Sequence, residues 1–211
     1  MKKFVIGFSV LLCFALFVIG CATVSGGGGG SNYFPASDGN SWRHLDNNEG
    51  TQYVTVEGNK VITTRGDSVS AMDVTTKIFK STTVSTSGGY SYSESYYVVN
   101  DSGVYYYGSS SGTTTEGQPF FEFPLVLGNS WTVTQGGGYT FIASVEGQED
   151  VTVPAGTYSD CFKVVFRPYV GSVLQPGYIN FWLADGVGQV KYEISIGGAA
   201  GLVQLTWTNL P

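Results

Sequence analysis

Asp46–Gly50 reads Asp-Asn-Asn-Glu-Gly, and Glu146–Asp150 reads Glu-Gly-Gln-Glu-Asp. Carboxylate and amide oxygens crowded into a turn are what a hard cation such as calcium requires. Neither stretch has the spacing of a calcium loop, so both are expected to be solvated hairpin tips. The single histidine, His44, has no second His at ligand spacing, and the chain has no Cys-x-x-Cys, so no transition-metal site is expected. Gly-x-Ser-x-Gly and a phosphate-cradling glycine loop before a helix are also missing. Paired carboxylates for glycoside hydrolysis have nothing in the sequence to support them. The expectation is a protein that is not an enzyme and that carries no cofactor.

Three cysteines remain to be placed. Cys13 lies in a leader, residues 1–20, where Lys2 and Lys3 precede the apolar run Phe4–Ile19. Val18–Cys21, Val-Ile-Gly-Cys, closes that leader and resembles the bacterial lipobox. The resemblance implies cleavage before Cys21, a lipid on its sulfur and anchorage in a membrane by more than one acyl chain. Ala22 stands where an Asp favours inner-membrane retention, so the resemblance implies the cell envelope and, within it, the outer membrane. Residues 21–32 then form a tether around five consecutive glycines, and a single domain is expected over 33–211. Cys161 is the only thiol left in that domain, so no intrachain disulfide is expected.

Composition limits the partners. The formal charge is −6, and −8 once Lys2 and Lys3 leave with the leader. An acidic body repels nucleic acid, so no nucleic-acid partner is expected. Charged residues make up 12% of the chain, and polarity comes instead from Ser, Thr, Asn, Gln and 30 glycines. With 14 tyrosines, this composition suits short strands joined by tight turns.

One phrase occurs twice. Phe34–Trp42 and Phe123–Trp131 share Phe, Pro, Gly, Asn, Ser and Trp in one register, and the register holds to Thr55–Gly58 against Ser144–Gly147. Gly39 and Gly128 are expected to supply the positive φ of a tight turn. Trp42 and Trp131 would then be the first inward residues of a strand. Parity puts Val133 on the same face as Trp131, and places His44, its counterpart, inward. Period-two runs follow in the same order in both stretches: Thr51–Gly58 and Lys60–Thr64 read as separate strands, Tyr92–Asn100 as a tyrosine-rich one, and no strand is read between Gly108 and Ser130. Tyr96–Gly108 and Phe181–Glu193 read as one hairpin in two versions. We expect an all-β, antiparallel domain of two related meanders, about 33–117 and 118–211, forming a curved sheet, half-barrel or sandwich. Strands such as Tyr178–Leu183 are apolar on both faces, which implies cover on both sides or a greasy groove.

Val151–Phe166 holds Val-Pro-Ala-Gly-Thr, and Phe181–Glu193 holds Trp-x-Ala-x-Gly-Val-Gly-x-Val-Lys. Together with Gly-Asn-Ser-Trp these resemble a widespread group of uncharacterised bacterial lipoproteins, over Phe123–Ile196. More loosely, the chain is similar to periplasmic open β half-barrels that hold lipid chains. The expectation is an envelope lipoprotein acting as a non-enzymatic binding or structural module. Its partner would be a protein, a glycan or an apolar ligand. The alternative that the half-barrel resemblance implies is a carrier or sensor of a lipid-like ligand.

Overall fold

The computed structural model describes residues 31–48, 50–65, 71–134 and 139–210. The leader, Cys21 and the glycine run lie outside the described residues. Among the described residues, a 3-10 turn over Ser31–Tyr33 is followed by strands only. These are β1 (Ser41–Asp46), β2 (Gly50–Arg65), β3 (Ala71–Ser85), β4 (Tyr90–Asn100), β5 (Gly103–Ser109), β6 (Gly112–Glu122) and β7 (Ser130–Thr134). They continue with β8 (Tyr139–Val153), β9 (Gly156–Val170), β10 (Val173–Leu174), β11 (Gly177–Ala184), β12 (Gly188–Ile196) and β13 (Ala199–Thr208).

All pair antiparallel in one 13-stranded sheet, in the order β6-β5-β4-β3-β2-β1-β13-β12-β11-β9-β8-β7, with β10 beside β9. The first and last strands meet in the middle, Trp42 opposite Thr208 and Asp46 opposite Val203. The middle strands β6 and β7 become the two edges. The sheet curves and does not close: among the described residues no ladder joins β6 to β7, and the Trp131 indole N–H donates to the Phe120 carbonyl across the gap at 3.1 Å. The antiparallel all-β expectation holds, as a curved open sheet rather than a sandwich. β6 runs through residues 117 and 118, so the chain passes from the first meander to the second in segment 123–129.

Alternation builds the curve. Gln52, Val54 and Val56 of β2 point inward, while Thr51, Tyr53 and Thr55 point outward. β2 changes register between Val56 and Asn59, and β8 between Val145 and Gly147 and again between Glu149 and Val151. Such bulges bend a strand and increase its twist. They correct two readings. Thr51–Gly58 and Lys60–Thr64 are one strand, not two, and Glu146–Asp150 sits within β8 rather than at a hairpin tip. An inserted residue looks like a turn in sequence, yet the ladder resumes beyond it.

The concave side is filled with rings. Phe34, ahead of β1, is fully buried 5.5 Å from Phe79, 5.4 Å from Tyr97 and 6.0 Å from Phe121. Phe120 lies 4.5 Å from Phe121 and 5.6 Å from Phe166, and Phe166 lies 5.0 Å from Phe181. Rings at these separations add to the apolar area they bury. Packing begins at Tyr33, whose ring meets Phe162 at 5.4 Å.

Candidate functional site

The convex side of β2, β3 and β4 carries an unusual row. Tyr53 of β2 pairs with Thr82 of β3, and Thr82 pairs with Tyr92 of β4. Inward-facing Val54 beside Tyr53 fixes the parity that turns the tyrosine outward. Tyr53 is 46% exposed and Tyr92 77%, with Tyr90, two residues along β4, at 67%. The next row is Thr55, Lys80 and Glu94. Lys80 Nζ sits 2.8 Å from Glu57 Oε2, a bond that raises the ammonium pKa above its ordinary value. Tyr96 donates its hydroxyl to Glu94 Oε2 at 3.0 Å and takes Lys60 Nζ over its ring at 4.0 Å. Between the two rows lies an open groove of about 540 Å³, which also reaches Ser110.

The convex face of the second meander is different. Trp182 lies opposite Lys163 and Lys191 on its two neighbouring strands. Their ammonium groups stand 5.1 and 4.2 Å from its ring centroid, and its indole N–H donates to Glu149. Charged side chains therefore cover an apolar outer face by their stems, and no greasy groove is needed there. This accounts for β11, where Ile179, Phe181 and Leu183 fill the interior and Trp182 is buried on the other side.

The remaining chemistry-bearing residues are engaged elsewhere. His44 is fully buried, and its Nε2–H donates to the Gln189 carbonyl at 3.3 Å. Burial depresses its pKa to about 3, which keeps the ring neutral. Cys161 is buried with its thiol 3.3 Å from the Tyr158 carbonyl, and burial pushes its pKa up to about 11. That makes it a poor nucleophile at neutral pH. In Glu146–Asp150, Glu146 pairs with Arg167, whose hydrogen bond holds its carboxyl below the ordinary range. Asp150 accepts the Asp160 N–H at 3.1 Å. In Asp46–Gly50, the Asp46 carboxylate accepts the Asn48 N–H at 2.7 Å, and Glu49 lies outside the described residues. Among the described residues, no group of three His, Cys, Asp or Glu could hold a metal.

Trp42 and Trp131 both face the core, at 1% and 6% exposure. Gly39 and Gly128 have φ of 90° and 88° in the turns just ahead of them. Cys21 lies outside the described residues. The tyrosine run of β4 can be picked out in sequence, but Tyr53, Glu57 and Lys80 cannot be assigned to its face. Only the pairing of β2 with β3 and of β3 with β4 brings them together.

These features define a class of architecture: one curved, open antiparallel sheet with rings packed inside and tyrosines displayed outside. Residues 143–195, from mid-β8 nearly to the end of β12, match a family model described as DUF3108-like. A Bacteroides fragilis protein described as exported and of YmcC-like fold is similar in structure. It has a TM-score of 0.50 and 13% identity, covering 84% of this chain and 98% of its own. At that identity the likeness is one of fold. A Parabacteroides distasonis protein described as a lipoprotein gives a TM-score of 0.41 at 14% identity, with coverage of 84% and 98%. No curated protein matches the chain.

Proposed function

We propose that this protein is an envelope lipoprotein, anchored through Cys21 and probing its surroundings with the convex face of β2–β4. It acts by binding, without catalysis. The observation that carries this reading is the Tyr53–Thr82–Tyr92 row, with exposed rings beside a groove that holds hydrogen-bonding groups. Two exposed tyrosines present rigid, amphipathic area at little entropic cost, which suits recognition. The lipobox of Val18–Cys21 and the glycine run supply the anchor and the reach. Ala22 favours the outer membrane. The two meanders are read as one duplicated unit. The lipid-carrier alternative has less support, because Phe34, Phe120, Phe121, Phe166 and Phe181 occupy the concave side where a chain would lie.

The test uses the full chain, purified in a zwitterionic detergent and immobilised, and a solubilised envelope extract passed over it. Wild type is expected to retain a component at micromolar concentration, and Tyr92→Ser to lose it. Retention of nothing, or equal retention by both, contradicts the reading. Cys21→Ser tests the anchor separately: mass spectrometry should find a precursor that is neither cleaved nor lipidated, and a lipid-free Cys21 in wild type contradicts the anchor.

A further inference from the structure

We infer that the occupant of the β2–β4 face is a neutral, linear glycan, lying across the strands over Tyr53 and Tyr92. The inference rests on the binding reading above and names its ligand. Neighbouring strands are about 4.8 Å apart, so residues in register across two intervals are separated by about 10 Å. Tyr53 and Tyr92 stand in that relation, with Thr82 between them. The interval matches one disaccharide of an extended pyranose chain, so alternate sugars meet a ring and the sugar between them meets the threonine hydroxyl.

The second row supplies what a pyranose rim needs. Glu57 and Glu94 accept hydrogen bonds from ring hydroxyls, and Lys80, held 2.8 Å from Glu57, donates to them. One ammonium against two carboxylates, on a chain of net charge −6, repels an anionic polymer. A protein partner fits less well. The centre of a protein interface is a contiguous apolar patch depleted of charge, whereas charged Lys80 and Glu57 border these rings. Of the most exposed aliphatics, Val173 and Leu127 lie on other segments, and Val61 lies on β2 but beyond the bulge that separates it from this row.

Calorimetric titration of the full chain in zwitterionic detergent tests this with three hexasaccharides. Two are neutral, of β-1,4-linked glucose and of N-acetylglucosamine, and the third is the anionic galacturonate hexamer. At least one neutral hexamer should bind, and the galacturonate hexamer should not. Tyr53→Ala and Tyr92→Ala, both at exposed positions that leave the core intact, should each weaken binding by about tenfold, the scale of losing one stacked ring. The matching disaccharide, too short to span both rings, should bind more weakly than the hexamer. Failure of both neutral hexamers to bind at millimolar concentration overturns the inference, as does binding that neither substitution changes. If envelope retention still depends on Tyr92 while the hexamers do not bind, the face remains a binding site and its occupant is a protein.

Discussion

Gly39 and Gly128 sit in turns that match bond for bond. The Gly39 N–H donates to the Val56 carbonyl at 2.9 Å, and the Gly128 N–H to the Val145 carbonyl at 2.9 Å. The next residue repeats the agreement. Asn40 and Asn129 return their carbonyls to the N–H groups of Val56 and Val145, each at 3.0 Å. Two stretches of chain thus enter β1 and β7 through the same hydrogen-bond clasp. Neither glycine has a heavy atom within 4 Å of where a Cβ would stand, so space does not dictate the residue. The positive φ does. Gly39→Ala and Gly128→Ala should therefore destabilise by a similar amount, roughly 1–2 kcal/mol each. Urea unfolding of the two variants checks this, and a wide inequality would mean the turns are alike only in outline.

The tryptophans that follow differ in one respect. Trp131 donates its indole N–H to Phe120 across the open edge, while the buried Trp42 Nε1 has no acceptor among the described residues. Trp→Ala should cost roughly 3–5 kcal/mol at either site. Trp→Phe separates them, because only Trp131→Phe gives up a hydrogen bond. It should cost about 1 kcal/mol more than Trp42→Phe. Equal losses would show that the contact between β6 and β7 adds nothing to stability.

His44 gives the protein an acid-sensitive core. Its folded pKa of about 3 lies below the ordinary 6.5, so the unfolded chain takes up a proton that the folded chain refuses. Stability from this group is complete above pH 6.5 and is lost as pH falls from there towards 3. About 2 kcal/mol should disappear between pH 7.5 and pH 5, at a limiting slope of 1.4 kcal/mol per unit. The pairing of Glu146 with Arg167 and of Asp38 with Lys77 lowers those carboxyl pKa values, which places their contribution at more acid pH. His44→Val, which installs the residue found at position 133, should flatten the profile between pH 5 and 7. A slope that survives the substitution would assign the proton uptake to another group.

What the sequence conveyed was local. Period-two parity placed His44 and Val133 on the inward face, and Gly-Asn marked both turns, because each signal is carried by adjacent residues. β6 carries no strand signal, because Glu116, Gly117 and Pro119 have the composition of a loop. An edge strand tolerates them, since on that side no neighbour needs the proline's missing N–H. β2 read as two strands because Glu57-Gly58 looks like a turn, although it forms a bulge. Long-range pairing had no sequence signal. Nothing in either segment announces that β1 lies beside β13, or that Tyr53 and Tyr92 share a row. The candidate face depends on the second of these and was legible only as a tyrosine-rich strand.

The central claim is that this row is occupied in the living envelope, and hydroxyl-radical footprinting with mass spectrometry measures that directly. Intact cells and the purified full chain would be labelled side by side, and oxidation of Tyr53, Tyr90 and Tyr92 compared with that of exposed Trp207 on β13. The account predicts that Tyr53 and Tyr92 are protected in cells by several-fold relative to the purified protein, while Trp207 reacts equally in both. Equal labelling of all four in both samples would contradict it.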